Sequence, residues 1–161
     1  MLLKPHTKLH RITDVTLSFL KEKGIKGILL DVDNTLSTHH GDILVDGLEA
    51  WLSEMNSNGI KLLVLSNSKE IRVAPFAEKI GLDYISLALK PLPFKFWKGV
   101  HRLCLKRKEV AIIGDQIFTD SLGGHLAGVY TIILDPVLCE DGWSFKLRRW
   151  LEKILYSVYK F

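Results

Sequence analysis

Cysteine is scarce in this 161-residue chain: Cys104 and Cys139 are the only two, and they form no Cys-x-x-Cys pair. That excludes a disulfide-built scaffold and a cysteine zinc site, and it fits a reducing compartment. Long apolar runs are missing too. The longest are four or five residues, as at 62–65, whereas a membrane-spanning helix needs about 20. The opening MLLKPHTKLH lacks the apolar core of a secretory signal. No repeat, low-complexity segment or linker interrupts the chain. His6, His10 and His101 have no metal-ligand partner spacing. Neither GxxxxGK[ST] nor GxGxxG occurs, so nucleotide-driven and dinucleotide-binding readings have no support. What is present, 47% apolar and 25% charged residues, suits one soluble globular domain over 1–161.

The net charge of +4 is unevenly placed. Residues 1–27 carry +4, residues 143–161 carry +4, and the middle, 28–142, carries −4. Basic ends suit an anionic surface such as a membrane face, or are simply solvated helix faces.

Apolar runs alternate with amphipathic stretches. Strands are expected at 27–31, 60–65, 84–89, 110–113 and 130–134. Leu48, Trp51, Leu52 and Met55 mark a helix stopped at Asn58-Gly59. A second helix spans 70–80, with Pro75 breaking or kinking it. A third opens at Pro93 and buries Phe94, Trp97, Val100 and Leu103, with Cys104 assigned to the core. A short helix covers 121–127. Residues 143–161 make a basic amphipathic helix, with Leu147, Trp150, Leu151, Ile154, Leu155 and Val158 on one side. Such a helix either packs on the domain or lies in a membrane surface. Strand and helix alternating at this spacing predict an α/β fold: a Rossmannoid, doubly wound parallel sheet in three αβα layers.

Four polar signals fall at the ends of four successive expected strands: Asp31, Ser66, Lys90 and Asp115. Ligands of open parallel sheets bind outside those ends, where the winding reverses. Asp31 and Asp33 offer two carboxylates that can divide nucleophilic or metal-binding work from proton transfer. Asp115 and Asp120, on a strand-to-helix loop, suit Mg²⁺, a hard ion that takes oxygen ligands. Ser66 and Lys90 supply the hydroxyl and the cation needed to hold phosphoryl oxygens as charge shifts. His39 and His40 fall in the loop after the first pair of carboxylates.

In this order, DxDxT (Asp31, Asp33, Thr35), Ser66, Lys90 and GDxxxxD (Asp115, Asp120) resemble the haloacid dehalogenase-like phosphatases over residues 24 to about 136. GIKGILLDVDNTL, LSNS, KP and GDQIFTDSLGGHLAG resemble the YqeG-type branch, which includes phosphatidylglycerophosphate phosphatases. Ser68 and His125 depart from that branch, which often has Asn at both; neither lies on the four motifs. The resemblance implies that Asp31 attacks phosphorus and that Asp33 serves as acid and then base. It implies that Ser66, Asn67 and Lys90 hold phosphate, and that Asp31, Asp33 (through its carbonyl), Asp115 and Asp120 hold Mg²⁺.

The intervals of 35, 24 and 25 positions between Asp31, Ser66, Lys90 and Asp115 leave no room for a cap domain of about 50 residues. A lidless site suits a large or surface-bound substrate. The resemblance implies phosphatidylglycerophosphate as substrate and so a phospholipid headgroup as partner, which the open site and the basic ends permit; the expected location is cytoplasmic, peripheral at the inner face of a membrane. Nucleic acid is disfavoured, since no aromatic-interleaved basic stripe is present. Two alternatives stand beside this reading. One is the same chemistry on a phosphorylated sugar, nucleic-acid end or protein; the other is a non-catalytic adaptor at a lipid surface or partner.

Overall fold

The computed structural model describes residues 2–37 and 43–137. Its frame is a six-stranded sheet, parallel at every pairing: β1 Thr7–Leu9, β2 Gly27–Leu30, β3 Lys61–Leu65, β4 Tyr84–Ile85, β5 Val110–Gly114 and β6 Tyr130–Leu134. Five helices accompany it: α1 Leu17–Glu22, α2 Leu48–Ser57, α3 Glu70–Lys79, α4 Phe94–Arg102 and α5 Leu122–Ala127. Successive strand side chains point to opposite faces, and here both faces are covered, which is why the strands read as unbroken apolar runs. Ile28, Leu30, Leu62, Val64 and Ile113 pack with Leu20 of α1, Trp51 and Met55 of α2, and Phe76 of α3. Leu29, Leu63, Leu65 and Ile112 pack with Phe96 and Val100 of α4 and Ala127 of α5. The expected three-layer αβα architecture is the one observed.

The strand order is β1-β6-β5-β2-β3-β4, so the winding reverses between β2 and β5. Leu30 registers with Val64 on one side and Ile113 on the other. The chain therefore leaves β2, β3 and β5 at nearly one level, with Asp31, Ser66 and Asp115 emerging together.

Several expectations are corrected. The first strand is not at residue 27: Thr7–Leu9 pairs with β6, and α1 follows, started by the Thr16 side chain accepting the Phe19 N–H at 3.2 Å. Three edge-strand residues and six helical ones are too few to show a period. The strand expected over 84–89 stops at Ile85, because Leu87 (φ 46°) and Leu89 (φ 55°) adopt left-handed backbone, which costs a leucine about 1–2 kcal/mol. Helix α3 runs on through Pro75. That residue lies on the exposed side, where water can satisfy the one carbonyl it leaves unbonded. On α4 the buried face is Phe96, Val100 and Leu103, while Phe94 is 65% exposed and Trp97 only half-buried. Two overlapping stripes were available, and Phe96 prevails because its ring fills the space beneath Gly123 of α5. Cys104, expected in the core, is exposed. The helix expected at 143–161, like His39, His40 and Cys139, lies outside the described residues.

Candidate active site

Asp31 is the first residue past β2, and its N–H donates to the Ile113 carbonyl of β5 at 2.9 Å. That bond extends the sheet by one residue and fixes the carboxylate at the switch point. The chain then folds back on itself. Thr35, Leu36 and Ser37 all direct their N–H groups to the Val32 carbonyl, and Asn34 takes a left-handed conformation, φ 58°, which asparagine tolerates. Asp31 is buried within this turn and Asp33 stands half-buried at its edge.

Ser66 follows β3 and is buried, its N–H held by the Ile85 carbonyl. The next loop is laced to it. Leu87 N–H donates to the Ser68 carbonyl at 3.0 Å and Ala88 N–H to the Ser66 carbonyl at 2.9 Å. Asn67 then clamps the main chain of Lys90, accepting its N–H at 2.7 Å and donating to its carbonyl at 3.2 Å. Lys90 is delivered in this way to the carboxylates: Nζ donates to Asp31 Oδ1 at 2.5 Å and to Asp120 Oδ1 at 2.7 Å, with 3% of its side chain exposed.

Between β5 and α5 the chain makes a π-helical turn, Ile117–Ser121, a distortion often found at functional sites. It turns Asp120 back under the sheet edge. There Oδ2 accepts the Gln116 N–H at 3.2 Å and the Thr119 hydroxyl at 3.4 Å. The Asp120 carboxylate lies against the Cα of Gly114, where any Cβ would overlap it.

Asp31, Asp115 and Asp120 offer carboxylate oxygens within 4.8 Å of one another, all buried. With all three carboxylates ionised, the group they form with Lys90 has a formal balance of charge of −2. Burial pushes the Asp31 carboxyl up to about 7, against the pull of Lys90 and with a further push from Asp120. Burial alone would lower the Lys90 ammonium, but Asp120 and Asp31 outweigh it and hold it above the ordinary lysine range. A compact set of buried oxygens with a two-charge deficit fits a hard divalent cation. The Asp33 side chain is outside this cluster.

Asp33 is engaged elsewhere. Arg72, on the first turn of α3, donates to Asp33 Oδ1 at 2.5 Å, and the Ser68 hydroxyl donates to Oδ2 at 3.4 Å. Arg72 is the residue that motif order misses; its signal is a base at i+4 from Ser68 at the start of a helix. Ser68, read in the sequence as lying off the motifs, thus touches one of their carboxylates. His125 does not: its Nε2 donates to the Lys4 carbonyl at 2.7 Å. Asp31, Asp33, Ser66, Asn67 and Lys90 meet around a recess of about 130 Å³ that Gln116 and Thr119 complete. The amide of Asn67, expected on phosphate, bonds the Lys90 main chain with its oxygen and one N–H, which leaves its second N–H at the recess.

The family described as haloacid dehalogenase-like hydrolase matches residues 9–128. The "Probable phosphatase YqeG" of Bacillus subtilis is 36% identical over 156 residues, covering 97% of this chain and 91% of that one. The "Phosphatidylglycerophosphate phosphatase 1, chloroplastic/mitochondrial" of Arabidopsis thaliana is 26% identical over 96% of this chain, which spans half the length of that relative. Among solved structures, a HAD family hydrolase of Deinococcus radiodurans with bound phosphate and sodium superposes with a TM-score of 0.62 at 14% identity, covering 79% of this chain and 88% of that one.

Proposed function

This chain belongs to the haloacid dehalogenase-like hydrolase family, and on that premise we propose that it is a Mg²⁺-dependent phosphatase acting through a covalent intermediate on Asp31, with phosphatidylglycerophosphate as its substrate. The observation that carries the reading is the buried Lys90 ammonium joined to both Asp31 and Asp120 in a recess large enough for a phosphoryl group. Asp31 attacks phosphorus, and the bond from phosphorus to the leaving alcohol breaks. Asp33, protonated, gives its proton to that alcohol. The Asp33 carboxylate then takes a proton from water, which attacks the phosphorus of the Asp31 acyl phosphate; the bond from phosphorus to the Asp31 oxygen breaks and frees phosphate and the carboxylate. Lys90, the Ser66 hydroxyl and Asn67 hold the phosphoryl oxygens; the Asn67 amide spends one N–H on the Lys90 carbonyl and keeps its second. Asp31, Asp115, Asp120 and the carbonyl of Asp33 would hold Mg²⁺, which supplies the charge that lets a phosphoryl dianion approach a carboxylate. The lipid substrate is drawn from the relative named for it and from the short intervals between site residues, too short for a lid. A peripheral location at the inner face of a membrane follows from the same reading. Among the described residues no helix is long and apolar enough to cross one.

The test is phosphate release from phosphatidylglycerophosphate in mixed micelles with Mg²⁺, beside a panel of soluble phosphomonoesters and an EDTA control. Release from the lipid that EDTA stops supports the reading in full. Release from soluble esters alone keeps the chemistry and removes the lipid. An Asp31→Asn variant that still turned over at the wild-type rate would remove the nucleophile.

A further inference from the structure

The segment that brings Lys90 into the site leaves its own apolar side chains in water. Leu87, Leu89, Leu92 and Phe94 are exposed by 49%, 61%, 49% and 65%. They make up four of the nine exposed large hydrophobics among the described residues, within eight consecutive positions. Their backbone is far from arbitrary. Leu87 and Leu89 both hold left-handed conformations, which bulky residues avoid, and strain of this kind collects where it serves function. Leu87 is tied to the Ser68 carbonyl, three residues before Ile71, another exposed apolar residue. Leu92 N–H donates to the Leu89 carbonyl at 2.9 Å, which closes a turn between those two. Phe94 stands edge-on to Trp97, ring centroids 5.7 Å apart. Delivering Lys90 needs only the backbone path, and it does not call for leucine at 87, 89 and 92 or phenylalanine at 94.

Charge limits what can cover this lip. From Leu87 to Lys98 there is no acidic residue, while Lys95 and Lys98 follow the lip on α4. An apolar edge flanked by lysines matches an anionic lipid surface, where side chains enter the acyl boundary and ammonium groups stay with the headgroups. Resting on the phosphatase reading above, we propose that residues 87–94 form a docking lip that seats the open recess on an anionic bilayer. A headgroup phosphate then reaches Lys90 while its lipid remains in the membrane.

The experiment is co-sedimentation of the full chain with vesicles of equal parts phosphatidylglycerol and phosphatidylcholine, and with phosphatidylcholine alone. Two variants accompany it. Leu87→Asn/Leu89→Asn removes apolar surface but suits the left-handed backbone, so the fold is retained. Leu92→Ser/Phe94→Ser tests the other half of the lip. Wild type is expected to bind the anionic vesicles and not the neutral ones, with each variant weaker by at least about tenfold. Turnover of para-nitrophenyl phosphate should be unchanged in both variants, which separates loss of docking from loss of the phosphatase itself. Variants that bind as wild type would place membrane contact elsewhere and overturn the lip. So would wild type that ignores both vesicles, or a dimer by sedimentation that the variants dissociate.

Discussion

In the proposed reaction Asp33 gives a proton while sitting against a guanidinium. The Arg72 ion pair is 40% exposed on the arginine side, so it is worth only about 0–1 kcal/mol and an arriving phosphate can compete for Arg72. Its service is to hold the carboxylate at the mouth of the recess. Arg72→Ala is expected to lower kcat/KM for a soluble ester by roughly 10- to 100-fold, with a melting temperature within a few degrees of wild type. Steady-state kinetics beside a thermal melt checks both. Asp31 gives a second expectation at this scale. Its carboxyl titrates near 7 in the metal-free fold because it is buried, against about 3.9 in an unfolded chain. Between those values the folded state binds the extra proton, so the metal-free protein loses stability as pH rises from about 4 to 7, by a few kcal/mol at most. Asp31→Asn has no proton to lose there. Its stability relative to wild type should therefore grow between pH 5 and pH 8 in EDTA, measured by thermal or urea unfolding, and a flat difference would mean Asp31 is ionised throughout.

At the scale of elements, the lysine that matters is positioned by a stack rather than by a strand. Gly123 of α5 lies against the Phe96 ring of α4 and the Cα of Pro91, the residue after Lys90. A methyl group there must displace the ring or the backbone that carries Lys90. Gly123→Ala is expected to cost about 1–3 kcal/mol, seen as a lower melting temperature, and to reduce turnover because Lys90 shifts from Asp31 and Asp120. This stack also explains what the sequence left hidden. The buried strands and α2 are legible because short unbroken apolar runs and the Leu48–Met55 period depend on local spacing. The carboxylates and Ser66 were legible because strand ends collect at one edge of a parallel sheet. Leu87 and Leu89 were not, since leucine carries no sign of left-handed backbone. The face of α4 was misread because Phe94 and Phe96 offer two stripes, and only contact with α5 selects between them. Arg72 escaped because its role depends on how α3 starts relative to the turn at Asp33, a relation across some 39 residues that no local period records.

Across the molecule, the acidic middle of the chain, −4 over residues 28–142, includes all four site aspartates. Three of them are buried around Lys90 with a balance of −2. A fold that gathers like charges in its interior loses stability unless something opposite binds, and a ligand that binds only the folded state stabilises it by about 2.7 kcal/mol at a hundred times its dissociation constant. Adding Mg²⁺ to EDTA-treated protein is therefore expected to raise the melting temperature by several degrees, in proportion to the logarithm of metal concentration once the site fills. The rise should be independent of substrate and should flatten the pH dependence expected of Asp31, since a bound cation keeps that carboxylate ionised. Asp115→Asn separates a site effect from general salt screening. Screening acts on every exposed charge and would stabilise wild type and variant alike. Loss of one of the three carboxylate donors should abolish the rise at low millimolar metal, whatever the substitution does to the metal-free melting point. Equal rises in the two proteins would mean that Mg²⁺ acts on the surface and that Lys90 alone balances the buried carboxylates.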